Sequence, residues 1–235
     1  MTATAANPRK PRGSKKKAAG GNGNEAALKA AVLQAALVHV PFEGFTEKVL
    51  EQAGAEVGVD RPKLSRLFPQ GSLSLIEAFS EQADVAMVKQ LGRARLSSLK
   101  VRERITTAIR TRLAVLEPQK EAARRATAFL TLPPHAALGV RLLYRTVDTI
   151  WRTIGDTSTD FNFYTKRAIL AGVYSATLMR WFTDDSADHA ITEEFLRRRI
   201  GDVMRFEKFK SELREQARSL PTLADIFNRV GAHRS

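Results

Sequence analysis

Residues 46–71 read TEKVLEQAGAEVGVDRPKLSRLFPQG, and this run decides the fold class. Thr46 stands where an N-cap is needed before Glu47–Glu56, since a hydroxyl there accepts a bond from a first-turn amide. Val49, Leu50 and Ala53 then fall on one face at helical spacing. Gly54-Ala55-Glu56-Val57-Gly58-Val59-Asp60 supplies a corner, and Asp60 is placed to cap a second short helix from Arg61 to Phe68. Pro69-Gln70-Gly71 turns the chain into a longer helix from about Ser72 to Leu91. Two short helices joined by a tight glycine-containing corner resemble a helix-turn-helix.

The helical pattern extends outward in both directions. Upstream, Leu28, Val32, Ala35 and Ala36 follow the i, i+4, i+7, i+8 rule from Glu25 onward, and Pro41 with Gly44 ends that helix. Downstream, helices are predicted at 101–116, 119–131, 136–154, 162–183 and 190–217. Leu143, Val147, Ile150, Trp151 and Ile154 share one face of the 136–154 segment. No stretch alternates with period two and no internal repeat is present, so the chain is all-α with nine or ten helices. It divides into a basic tail at 1–24, a helix-turn-helix-like module at 25–70, a helical ligand-binding and dimerisation domain at 71–217, and an amphipathic C-terminal helix at 218–235.

Charge is unevenly spread over the 235 residues. Lys and Arg number 38 against 25 Asp and Glu, a net charge of +13. Arg9, Lys10, Arg12, Lys15, Lys16 and Lys17 give the acid-free tail +6 of it. Between Met1 and Leu28 there is no Leu, Ile, Val or Phe, so the tail lacks the apolar face of a presequence and the apolar core of a secretory signal. It reads as a flexible arm, with nucleic-acid or anionic-lipid contact as the other reading. The charge-free runs Ala168–Met179 and Ala126–Val140 are shorter than the ~18–20 apolar residues that cross a bilayer, so no membrane span is expected. At 43% hydrophobic and 27% charged residues, the composition is that of a globular protein. The absence of cysteine excludes disulfides, thiolate metal sites and a Cys nucleophile.

The segment Ser158-Thr159-Asp160-Phe161-Asn162-Phe163-Tyr164-Thr165-Lys166-Arg167 is a loop feeding a helix. Asp160 is a candidate N-cap, and Phe161, Phe163 and Tyr164 crowd the helix start. Such a cluster is either core or, beside Lys and Arg, a protein-binding hot spot. The segment resembles the signature of the coenzyme Q biosynthesis accessory family, the lipid-binding proteins known as the ninth Coq proteins. The resemblance extends to Ala36–Pro41, Gly44-Phe45-Thr46 and Leu67–Gly71. It continues through Leu132-Pro133, Asp148 and Trp151 to Phe195-Leu196, Arg199 and Val203-Met204, covering roughly residues 26–206.

That resemblance implies a TetR-like fold, a dimer, and an isoprenoid lipid held in the helical domain. It also implies a partner, a membrane-bound di-iron demethoxyubiquinone hydroxylase, contacted through the signature. Asp160, Phe163, Tyr164 and Arg167 are the corresponding partner-binding candidates, with Phe163 where the family commonly has Trp. The N-terminal module likewise resembles that of TetR-type regulators, in which the helix at Arg61–Phe68 would enter the major groove. Ser65 stands where that pattern has an aromatic, and Gly71-Ser72-Leu73 where it has a basic residue. Specific DNA binding is therefore not expected, although a TetR-type regulator answering to a lipid-like ligand is the alternative function.

Catalytic constellations are lacking. His39 and His135 lie near prolines at helix ends and read as structural. His189 and Glu193 have i, i+4 spacing but no further ligands in view. There is no Gly-rich phosphate loop and no Gly-x-Ser-x-Gly elbow. Neither enzyme activity, a metal nor a cofactor is expected.

Two apolar features complete the reading. Leu170, Val173, Tyr174, Leu178 and Trp181 form a stripe that is either plain core or, with Leu143, Val147, Ile150 and Trp151, the wall of a prenyl-chain pocket. Leu220, Leu223, Ile226, Phe227 and Val230 form one face of a terminal helix about 15 Å long, too short to span but able to lie in a membrane interface. The expected function is a non-catalytic lipid-binding accessory protein for ubiquinone synthesis. The expected setting is a bacterial cytoplasm with peripheral inner-membrane contact rather than a mitochondrion.

Overall fold

The structure is a computed structural model that describes residues 17–94, 96–156 and 161–219. All regular structure among the described residues is helical: α1 (Lys17–Glu43), α2 (Glu47–Glu56), α3 (Arg61–Leu67), α4 (Ser72–Leu91), α5 (Val101–Leu116), α6 (Lys120–Leu130), α7 (Ala136–Thr153), α8 (Phe161–Phe182) and α9 (Ala190–Ser219), with short 3-10 turns between some of them. The chain divides into two compact units, residues 1–82 with 121–129, and residues 83–120 with 130–235. The first part of α4 and most of α6 belong to the N-terminal unit.

The corner that decided the fold class is built as its residues dictate. Thr46 Oγ1 accepts from Val49 N at 3.2 Å, and Asp60 Oδ1 accepts from Lys63 N at 2.8 Å, so both predicted caps close. A Cβ on Gly54 would meet Leu64 Cδ2 at 2.8 Å, which is why α2 and α3 can approach as closely as they do. Gly71 is left-handed at φ +54°, and Glu47 Oε1 reaches past it to accept from Ser72 N at 2.7 Å, capping α4 from α2. The core of this unit is Val32, Leu33, Ala36 and Val40 of α1 against Val49, Leu50 and Ala53 of α2, closed by Leu64, Leu67, Phe68, Leu75, Ile76 and Phe79.

Three expectations change here. The helix expected from Glu25 begins at Lys17, so the last residues of the expected arm are part of α1 although Gly20, Gly21 and Gly23 have low helix propensity. Pro41 lies inside its last turn, and the chain leaves the helix at Gly44 with φ +75°. Residues 23–43 of α1 are also long and apolar enough by length and composition to cross a membrane. Counting charge-free runs missed this because Lys29 interrupts the stretch. Its Val32 and Val40 are nonetheless fully buried in the N-terminal unit.

In the C-terminal unit α7 packs on α8 and α8 on α9, while α5 lies against all three. Ile109, Leu113, Val147, Ile150, Leu170, Trp181 and Leu196 form its interior.

Candidate partner and ligand site

The start of α8 is fixed by a buried cation. Arg167 is 2% exposed, with Nε 2.7 Å from Asp148 Oδ1 on α7 and Nη1 3.5 Å from Asp156 Oδ2 in the turn after it. The same Nη1 donates to the Phe163 carbonyl at 3.2 Å, and the guanidinium carbon stacks over the Phe163 ring at 3.3 Å. Lys166 Nζ adds a 2.9 Å pair to Asp156 and lies over the Trp151 ring, whose Nε1 donates to the Lys166 carbonyl at 3.3 Å. Asp148 also takes Arg152 at 2.7 Å, so each buried charge is balanced by an opposite one.

On this clamp the first turn of α8 presents Tyr164, 67% exposed, with the half-buried Phe163 ring edge-on to it at 5.1 Å. Of the four partner-binding candidates, Phe163 and Tyr164 therefore meet at one surface. Arg167 does not: its charge is consumed by Asp148 and Asp156, and it positions the surface rather than forming it. Asp160 lies outside the described residues, as do Leu220, Leu223, Ile226, Phe227 and Val230.

The lipid-binding candidates are brought together in the C-terminal unit. Val147, Ile150, Trp151, Leu170, Val173, Tyr174 and Trp181 are buried, and Leu143 and Leu178 are half-buried. Both indoles are satisfied, Trp151 as above and Trp181 by donating to Glu117 Oε2 at 3.0 Å.

A polar cluster that the sequence reading did not single out lies among these apolar groups. Asp84, on α4, is 6% exposed and sits 3.0 Å from Arg112 Nε, with Thr146 Oγ1 donating to it at 3.0 and 3.2 Å. Burial raises the Asp84 carboxyl pKa, opposed by Arg112 and the Thr146 hydrogen bond. Burial likewise raises the Tyr174 phenol, on which Arg112 acts in the opposite sense. The available signal was Arg112 on the apolar stripe Ala108-Ile109-Leu113-Leu116 of α5, where a charge demands a buried partner.

Two of the histidines have carboxylate partners. His39 Nε2 lies 2.9 Å from Glu56, and His189 Nε2 lies 2.8 Å from Glu117. Glu193 pairs with Arg110 and so does not join His189 as a ligand pair. Nearby, Asp184 is 1% exposed and accepts from the Ser186 amide and hydroxyl and from the Thr192 amide and hydroxyl. Burial alone would raise its pKa; those hydrogen bonds outweigh it and hold the carboxyl well below the ordinary range.

On the N-terminal unit, α3 exposes Arg61, Ser65 and Arg66 and leaves Lys63 half-buried. Arg61 Nη2 is held by both oxygens of Glu51 at 3.0 Å. An open groove of about 410 Å³ runs beside it, walled in part by Glu47 and Glu51. Carboxylates at this face oppose a phosphate backbone.

Comparison with known proteins follows the same division. Residues 136–207, which hold α7, α8 and the first half of α9, match the family model described as COQ9. The ubiquinone biosynthesis protein COQ9, mitochondrial, of Rattus norvegicus is 35% identical over 182 residues, covering 74% of this chain and 57% of that protein. Its Homo sapiens namesake is 34% identical over 190 residues, covering 77% and 59%. The chain thus spans under two thirds of the length of these relatives, whose names place them in mitochondria, unlike the bacterial setting expected above. A crystal structure of a TetR transcriptional regulator from Nitrosomonas europaea superposes with a TM-score of 0.60 at 20% identity, covering 74% of this chain and 97% of that one. That likeness establishes the TetR-like fold. By its matched segment, and over some three quarters of its own length, the chain is similar to the COQ9 family.

Proposed function

We propose that the protein is a non-catalytic accessory protein of ubiquinone biosynthesis. It binds a prenylated quinone precursor and presents it to the di-iron demethoxyubiquinone hydroxylase. The observation that carries this reading is the COQ9 match over residues 136–207, which spans the helices bearing both the aromatic surface and much of the apolar interior. Leu143, Val147, Ile150, Trp151, Leu170, Val173, Tyr174, Leu178 and Trp181 are the side chains offered to the prenyl tail. Tyr164 and Phe163 are the contact with the hydroxylase, and the protein acts as a homodimer. Residues 220–230 dock on the membrane, which lets the tail pass from bilayer to protein without crossing water; exposure costs ~0.8 kcal/mol per methylene.

The test is to purify the full chain, extract co-purifying lipid, and identify it by mass spectrometry while titrating labelled duplex DNA in parallel. A prenylated quinone or its precursor in the extract, with DNA affinity that collapses as salt rises, is the expected result. A salt-tolerant preference for one operator, with no lipid in the extract, would instead make the protein a TetR-type regulator.

A further inference from the structure

We propose that the Tyr174 hydroxyl receives a head-group oxygen of the carried quinone, an assignment that rests on the carrier reading above. Tyr174 is 5% exposed, and no described residue gives its hydroxyl a hydrogen bond. Other buried polar side chains are spoken for. Ser74 accepts from Gln70 N at 3.0 Å, Thr177 donates to the Val173 carbonyl at 2.7 Å, and Arg167, Asp184 and Thr192 have the partners given above. A buried phenol ordinarily finds a partner too, because a stranded polar group bears the full cost of leaving water.

The surroundings of this phenol name the chemistry of its guest. Arg112 and Asp84 are the charges that act on it, and with Thr146 they bring α4, α5, α7 and α8 of one unit together. Asp84 and Arg112 balance each other at 3.0 Å, and the Thr146 hydroxyl is spent on Asp84. A carboxylate or phosphate head would bring an unbalanced charge into this interior, at a prohibitive desolvation cost. Burial raises the Tyr174 phenol, so it keeps its proton and can donate. A donor in neutral surroundings suits an uncharged acceptor, a quinone carbonyl or a ring ether oxygen.

Helical spacing puts this polar spot beside the side chains offered to the prenyl tail. Thr146 stands one turn from Ile150 on α7, and Tyr174 one turn from both Leu170 and Leu178 on α8. Sites for apolar ligands are built this way, with a few placed polar groups in a mostly hydrophobic lining. A head held here is in transit, and delivery to the hydroxylase begins with its release. Tyr174 thus reads the cargo, while Phe163 and Tyr164 meet the partner.

The test is calorimetric titration of the full chain and of Tyr174→Phe, which removes the hydroxyl and nothing else. Two probes are used: a short-chain ubiquinone with a geranyl tail, and geranylbenzene, which keeps a ring and the same tail but has no oxygen. The unsubstituted chain should prefer the ubiquinone. Tyr174→Phe should weaken ubiquinone binding about tenfold, the worth of one hydrogen bond, and leave geranylbenzene binding unchanged. Without ligand, its melting temperature should be unchanged or higher, since a stranded hydroxyl has been removed. Ubiquinone binding that survives in Tyr174→Phe, or an equal loss for both probes, overturns the proposal and leaves the carrier reading standing. So does a fall of several degrees in the ligand-free melting temperature, which would show that the hydroxyl already serves the fold. An unsubstituted chain that binds neither probe overturns the carrier reading, and this assignment with it.

Discussion

Arg167 holds Asp148 across the α7–α8 contact at 2.7 Å while its guanidinium carbon lies 3.3 Å above the Phe163 ring, four residues back on its own helix. One side chain thus ties the preceding helix to the first turn of α8. Arg167→Ala removes the cation and leaves Asp148 and Asp156 in a pocket meant for it. Removing one partner of a buried pair costs ~3–5 kcal/mol. Arg152 and Lys166 still serve the carboxylates, so the lower end of that range is expected. Urea unfolding should show the loss as a lower midpoint at an unchanged slope. An unchanged midpoint would mean that the clamp carries no stability.

Tyr164 gives the opposite signature. It is largely exposed, so Tyr164→Ala should leave the melting temperature within a degree or two of the parent. If this ring is the partner contact, affinity for the hydroxylase should fall by ~2 kcal/mol, about thirtyfold in Kd. Calorimetry of the binding step alongside a thermal melt separates the two effects. A large fall in melting temperature with unchanged affinity would return Tyr164 to the core.

The contrast between these residues shows what the sequence could and could not deliver. Thr46, Asp60 and the Gly54–Asp60 corner were legible because capping and helix–helix approach are local, set within a few residues. The helix boundaries from α4 to α9 were legible for the same reason. Arg167 was read as surface because nothing local reports that Asp148 and Asp156 converge on it; ion pairing across helices is a product of the fold. Asp84, Arg112 and Thr146 escaped for that reason, since they come from three helices.

Asp184 supplies a pH prediction. Its folded carboxyl is held below the unfolded value of about 4, so the stabilisation is fully present above that value, declines below it as the unfolded chain takes up the proton first, and is lost as pH falls through the lower folded value. Asp184→Ala also deprives the Thr192 amide of its acceptor at the start of α9. A lost cap typically costs ~1–2 kcal/mol. Chemical denaturation at pH 7 should therefore show a gap between parent and variant that narrows by pH 3. A gap that stays constant between the two pH values would show that the carboxylate charge plays no part.

The pair Asp84 and Arg112 calls for a cycle rather than a single substitution. Both are nearly excluded from solvent, 6% and 3% exposed, and the raised pKa of Asp84 shows that burial costs the carboxylate more than Arg112 and Thr146 return. Arg112→Met strands a buried carboxylate beside the Thr146 hydroxyl, and Asp84→Asn strands a buried guanidinium, so each single variant should lose several kcal/mol, ~3 or more. Replacing both removes the charges together and restores volume with the Met side chain, so the double variant should be more stable than Arg112→Met alone. The coupling energy should reach ~2 kcal/mol in urea titrations. Because the folded pKa of Asp84 is raised, its cost is small below the unfolded value and grows as pH rises through the folded one. The Arg112→Met penalty should accordingly shrink on acidification toward pH 4, where Asp84 can be buried neutral. Additive single losses, or a penalty independent of pH, would mean that Asp84 and Arg112 are stabilised separately and do not act as a pair.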